Sequence, residues 1–282
     1  ATVAPVDNLS FAEADLLSDT GWDEAMVGCT YVIHVASPFV MAEPKDEKEL
    51  ITPAVDGTKR VVQAAQRAGV SRMVLTSSTF AMIAGKDSGR YGPDSWSDTD
   101  ADIGAYAKSK TLAERAAWDI NGNDTMELTV INPGGVSGPP LNAQADSSSV
   151  AMMSDMINGK MPMLPDLALN MVDVRDVARL HVTALTAPRA EGQRFIAATS
   201  EPVEFATTAA ILKQAGYSKV STRKAPTVVL RLMSLFSREA KGLLPMLGKK
   251  ITLDTTSTSE ILEWQPTSME ASVLDMAASL SK

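Results

Sequence analysis

The chain has 282 residues, 45% hydrophobic and 21% charged, with a formal net charge of −8. This is the composition of an ordinary globular protein with ample length for a core, and its acidity argues against nucleic acid or an anionic membrane as a main partner. Cys29 is the sole cysteine, so no intrachain disulfide framework is possible; His34 and His181 lack Cys or His neighbours at ligand spacing, so no metal is expected. No apolar run approaches the ~18 residues of a membrane span, and the first residues lack the pattern of a secretory signal, so a cytoplasmic location is expected.

In chain order, strand and helix signals alternate. Leu9–Ala14 is expected to form a strand, and Trp22–Val27 a short helix closed by Gly28. Tyr31–Ala36 is a compact β-rich run, as a buried parallel strand should be, and His34 within it is expected to be a satisfied core or edge residue. A helix follows from about Lys45 to Ala68, with Val55, Val61, Val62 and Ala65 near helical spacing and Pro53 marking a kink or a late start. Arg72–Ser77 is the next strand, and residues 81–101, rich in Gly, Ser, Asp and Pro, read as a loop over a site.

Ile103–Ile120 has the pattern of an amphipathic helix, and Glu127–Asn132 is a strand ended by Pro133-Gly134-Gly135. Beyond Pro139 the pattern loosens: Asn142–Ser149 is polar, and the methionines of Met152–Met163 suit either a core helix or an adaptable apolar pocket. Val172–Val177 leads into a helix through Leu185, with Asp173 or Asp176 as its cap. A strand at Arg194–Ala198 and helices around Val203–Ala215, Val228–Gly242 and Met269–Leu280 complete the chain.

This order predicts an α/β fold, a Rossmann-type doubly wound parallel sheet. Residues 1–138 are expected to form the dinucleotide-binding domain and residues 139–282 mainly a smaller α/β substrate-binding region, with some segments returning to the sheet. Ligands in such sheets bind at the carboxyl ends of the strands, where Ala36-Ser37-Pro38, Thr76-Ser77-Ser78 and Pro133-Gly134-Gly135 all fall. Tyr106 and Lys110, four apart, leave the same face of their helix. An ammonium beside a phenol favours the phenolate and can bring a pKa of about 10 toward neutrality, and such a tyrosine can exchange a proton with a substrate oxygen. Ser78, at a strand end near that phenol, can hold a carbonyl between two hydroxyls.

Together Ser78, Tyr106 and Lys110 resemble the Ser–Tyr–Lys constellation of the short-chain dehydrogenases/reductases. The ordered segments Tyr31–Phe39, Pro53–Lys59, Val74–Ser78, Ala105–Trp118 and Ile131–Pro139 resemble the dihydroflavonol-reductase-like group of the extended branch, and within it the aldehyde or methylglyoxal reductases of fungi and bacteria. The resemblance runs from about Ala14 to the end. It implies an NAD(P)H-dependent carbonyl reductase, with NADPH expected ahead of NADH, acting on a small aldehyde or ketone as a monomer or homodimer.

Carried over by that resemblance, Tyr106 would protonate the carbonyl oxygen, Lys110 would lower its pKa and bind the nicotinamide ribose, and Ser78 would orient the carbonyl. Asp15 and Leu16 would meet the adenine; Val35, Ala36 and Ser37 would line the cofactor channel. Thr76 and Ser77 would approach the nicotinamide, on which Pro133, Gly134, Gly135 and Val136 would pack.

Two departures stand out. The family's opening Gly-x-x-Gly-x-x-Gly turn, whose amides bind pyrophosphate, does not occur in the sequence. About one βαβ unit, on the order of 50 residues, is therefore expected to be missing from the front. Five positions after Ser78, where plant dihydroflavonol reductases carry an asparagine that holds the flavonoid, stands Ile83, which disfavours such a substrate. A nucleotide-sugar epimerase or dehydratase, and a non-catalytic relative that has lost its cofactor, remain the alternatives.

Overall fold

The computed structural model describes residues 9–38, 44–122, 126–141, 147–228 and 244–281. The chain divides into two compact units: residues 1–86, 93–132 and 180–195 form the first, and residues 87–92, 133–179 and 196–282 the second.

Short apolar runs separated by helices of amphipathic pattern can satisfy their backbones only by pairing side by side, with the helices packed on the faces. The first half of the chain does this through α1 (Trp22–Met26), β1 (Tyr31–His34), α2 (Lys48–Arg67), β2 (Arg72–Thr76), α3 (Phe80–Ile83), β3 (Gly89–Tyr91), α4 (Ala105–Asn121) and β4 (Glu127–Pro133). The second half contributes β5 (Gly135–Ser137), α5 (Ser148–Ile157), β6 (Ala168–Leu169), β7 (Met171–Asp173), α6 (Val174–Ala184), β8 (Arg194–Ala197), β9 (Val203–Glu204) and α7 (Phe205–Gln214). A short 3-10 turn (Leu244–Met246), β10 (Ile251–Leu253), α8 (Thr256–Ile261) and α9 (Met269–Leu280) follow.

The main sheet has the order β1-β2-β4-β8. β1 and β2 run parallel with His34 opposite Leu75, and β2 and β4 run parallel with Thr76 opposite Ile131. In the first unit, Val61, Val62, Ala64 and Ala65 of α2 pack with Met73 and Leu75 of β2 and Leu128 and Val130 of β4. β2 and β4 are buried along nearly their whole length because both of their faces are covered. Buried Arg72 pairs with Glu127, directly opposite on β4, and donates to the carbonyls of Ala184 and Ala187, each at 2.8 Å.

In the second unit β5 pairs with β7 in parallel, β6 with β9 antiparallel, and β3 with β10 in parallel. Met153, Met156 and Ile157 of α5 pack with Ala209 and Leu212 of α7 and Val273, Met276 and Ala277 of α9. Of the two readings open for the methionine-rich segment, the core helix is therefore the one realised at Met153 and Met156. Among the described residues, no helix is long and apolar enough to cross a membrane.

The structure corrects three expectations from the sequence. Leu9–Ala14 has no regular structure and adds no strand to the free edge of β1; Leu9 and Phe11 remain exposed. The 81–101 segment is not all loop, since it includes part of α3 and the whole of β3. Pro53 does not delay α2, which starts at Lys48 and runs on past it. Asp173 is the residue that caps α6, its Oδ1 accepting from the Arg175 amide at 2.8 Å, whereas Asp176 accepts from the Thr267 amide at 2.7 Å. Most of the expected 228–242 helix lies outside the described residues, as does most of 142–149.

Candidate active site

The end of β2 delivers three consecutive hydroxyls. Side chains alternate along a strand, so neighbouring groups find different partners: Thr76 Oγ1 lies 2.6 Å from His181 Nε2, while Ser77 donates to Glu114 Oε2 at 2.5 Å. Ser78 Oγ accepts the Phe80 amide at 3.1 Å as the chain turns into α3. Helix α4 begins after Gly104, whose φ of 80° is a conformation that favours glycine. Tyr106 therefore sits in the first turn of α4, Lys110 in the next and Glu114 one turn further, along one face.

Ser78 and Tyr106 are hydrogen-bonded through their side chains. The Phe80 ring meets Tyr106 edge-on, with centroids 6.0 Å apart and planes at 77°. Burial pushes the Tyr106 phenol up from its ordinary value, and the hydrogen bond from Ser78 pulls it back in part. This reverses the expectation of a phenol lowered by its lysine. The cost of burying a phenolate prevails, and Lys110 is itself pushed down to about 8 by burial, with Glu114 partly restoring it.

His34 is a buried residue, as expected, but among the described residues its Nε2 has no hydrogen-bond partner. Burial, and then the positive charge of Lys110, pull its pKa down to about 4. Asn132 Oδ1, at the end of β4, is also buried without a partner among the described residues. Neither orphan stands out in the sequence, since their isolation depends on what the fold places around them.

Asp15 is exposed and Leu16 half-buried. Their turn is fixed by Asp15 Oδ1 accepting the Leu17 amide at 2.9 Å and by Arg60 donating to the Leu16 carbonyl at 2.7 Å. A Cβ on Gly57 of α2 would fall 2.8 Å from the Leu16 side chain, so that glycine makes room for it. Val35 and Ala36 are exposed and Ser37 half-buried beyond the end of β1. Pro133 closes β4, and Gly134, Gly135 and Val136 belong to the second unit, where Gly134 and Gly135 pass close to another backbone. The Gly134 amide donates to Ala197 and the Gly135 amide to Asn170, at 3.0 and 2.8 Å. A Cβ on Gly134 would stand 2.1 Å from the Asn170 carbonyl oxygen, which is reason enough for glycine there.

The parallel sheet with helices on its faces, and with Ser78, Tyr106 and a buried Lys110 beyond the carboxyl end of β2, is of the Rossmann type. Residues 1–198 match the NAD dependent epimerase/dehydratase family, and the chain belongs to that family. It is 36% identical over 197 residues to a cinnamoyl-CoA reductase of Medicago truncatula, covering 66% of this chain and 59% of that protein. It is 35% identical over 190 residues to a putative NADPH-dependent methylglyoxal reductase of Candida albicans, covering 61% of this chain and 56% of the relative. The chain thus spans less than two thirds of the length of both relatives. The crystal structure of Gre2 from Candida albicans in complex with NADPH superposes with a TM-score of 0.74 at 27% identity, over 95% of this chain and 82% of that one. The resemblance to the dihydroflavonol-reductase-like group and the Rossmann-type parallel sheet read from the sequence are both borne out.

Proposed function

We propose that the protein is an NADPH-dependent carbonyl reductase that converts a small aldehyde or ketone to the alcohol. The observation that carries this reading is the Ser78–Tyr106 hydrogen bond, with Lys110 buried one turn on, at the carboxyl edge of a parallel sheet. The family and the two reductase relatives support it.

The residues fit the nicotinamide-ribose end of the cofactor. Lys110 is a buried amine one helical turn from Tyr106, suited to ribose oxygens, and exposed Asp15 with half-buried Leu16 suits an adenine. Thr76, Ser77, Val35, Ala36 and Ser37, with Pro133, Gly134, Gly135 and Val136, complete the proposed cofactor set. When bound, NADPH supplies the hydride. Ser78 holds the substrate carbonyl by its oxygen, and Tyr106 gives that oxygen its phenolic proton. A phenol raised by burial keeps its proton at neutral pH, which suits a general acid working in the direction of reduction. Lys110 then stabilises the phenolate until solvent returns the proton. The half-buried Ile83, with no hydrogen-bonding group, favours a small or apolar carbonyl over a polyhydroxylated one.

We further assign cofactor binding mainly to residues 1–138 and substrate binding mainly to residues 139–282, in a cytoplasmic monomer or homodimer. The test is NADPH oxidation by the native protein against a panel of small aldehydes and ketones, where aldehyde-dependent loss of absorbance is expected. Tightly retained NAD with no NADPH consumption would contradict the proposal and favour a nucleotide-sugar epimerase.

A further inference from the structure

We propose that Glu114 is a positioning residue for this reaction: its buried carboxylate fastens the Ser77–Ser78 backbone to helix α4 and so sets Ser78 against Tyr106 and Lys110. The proposal takes the reductase reading for what the site does; how the site is held follows from geometry.

The Glu114 side chain has no exposed surface. Its Oε2 accepts from Ser77 Oγ at 2.5 Å, Asn132 Nδ2 at 2.9 Å and Arg194 Nη2 at 3.3 Å. Its Oε1 accepts from Arg194 Nε at 2.6 Å and Trp118 Nε1 at 3.4 Å. Asn132 Nδ2 also donates to the Ser78 carbonyl at 3.1 Å. Flipping the Asn132 amide would set its oxygen against two acceptors, so the network fixes its orientation. One carboxylate and one amide thus join the ends of β2 and β4 to the helix that carries Tyr106 and Lys110.

Arg194 makes the buried charge tolerable. Its Nη1 donates to the carbonyls of Pro93 and Ser95, the latter at 2.7 Å, and its guanidinium lies 3.8 Å over the Trp96 ring. Packing alone does not require such a pair, because apolar side chains of similar volume often stabilise a core as well or better. What an apolar replacement could not supply is acceptors aimed at Ser77 and Asn132, and a negative charge one turn from Lys110. The groups facing Lys110 are His34 from β1, and Tyr106 and Glu114 from one turn to either side on α4. Glu114 in turn faces Arg194, Ser77, Asn132 and Trp118. Of the groups around Lys110, the Glu114 carboxylate is the one that supports the ammonium.

The test is Glu114→Gln in the native protein, read in two ways. In protein labelled at lysine carbons, the Lys110 resonance, assigned by its loss in Lys110→Met, is expected to titrate at least about one pH unit lower in Glu114→Gln. In steady-state reduction of a small aldehyde, kcat should fall about ten- to a hundredfold, with the KM for NADPH within about twofold. The alkaline limb of the profile should move toward lower pH with the lysine. An unmoved Lys110 midpoint, or an unchanged kcat, overturns the proposal. Should Glu114→Gln fail to fold, Asn132→Ala removes the link to the Ser78 carbonyl without stranding a charge. Its kcat should fall about tenfold with the Lys110 midpoint unmoved, and an unchanged kcat in that folded variant is equally fatal. The lysine titration needs no turnover, so the two readings fail separately. A shifted midpoint in a protein inactive towards every carbonyl sinks the reductase assignment, whereas an unmoved midpoint sinks the role of Glu114.

Discussion

Helix α4 buries two kinds of polar group. Glu114 is met by Arg194, Ser77, Asn132 and Trp118, so each of its oxygens is satisfied. One turn back, burial outweighs the partners: Lys110 is pushed down to about 8, and Tyr106 is pushed up despite Ser78. His34, facing the same lysine, has no partner for its Nε2 among the described residues. A compensated group serves placement, whereas an under-compensated one has a protonation state that a ligand can change. Perturbed groups gather at functional sites for that reason.

The largest effect should come from breaking the compensated side. Arg194→Met strands the Glu114 carboxylate and should cost about 3–5 kcal/mol of unfolding free energy in urea, and adding Glu114→Gln should return part of it. A cost below about 1 kcal/mol would show that the pair is not truly desolvated.

Stability should also depend on pH through His34. Its folded pKa of about 4 lies below the ordinary 6.5. Above pH 6.5 both folded and unfolded states are neutral and His34 has no effect. As pH falls toward 4, the unfolded chain takes up a proton that the fold refuses, so stability is lost. The loss should reach about 3 kcal/mol near the lower value. Denaturant midpoints across this window should show that slope in the wild type and lose most of it in His34→Leu.

Gly134→Ala forces a methyl into the Asn170 carbonyl oxygen and should destabilise by about 1–3 kcal/mol, read as a lowered melting temperature. A neutral substitution would show that the backbone there yields. Smallest, and of opposite sign, is Lys110→Met: removing an under-compensated buried charge should stabilise by on the order of 1 kcal/mol while turnover falls at least about a hundredfold. Loss of both stability and turnover would place Lys110 with the compensated groups instead.

Much of this was legible in the sequence. The alternating apolar strands and helices gave the parallel sheet, and the four-residue spacing of Tyr106 and Lys110 placed both on one helix face. Glu114 falls at the same spacing beyond Lys110, yet on its own it reads as a solvent-facing glutamate. Its burial depends on Arg194, eighty residues later in sequence. Leu9–Ala14 has the apolar content of a strand, yet it joins none of the described sheets, because strand pairing depends on partners distant in sequence that a local pattern does not report. The direction of the Tyr106 shift was also illegible. Spacing puts an ammonium near the phenol, but the balance between that charge and lost solvation depends on depth.

The most direct test of the central claim is Tyr106→Phe, which removes the proton donor and leaves the ring. The variant should quench and shift NADPH fluorescence with an affinity within about threefold of wild type, while aldehyde-dependent NADPH oxidation falls by at least about a hundredfold. Full aldehyde reduction by Tyr106→Phe would contradict the account.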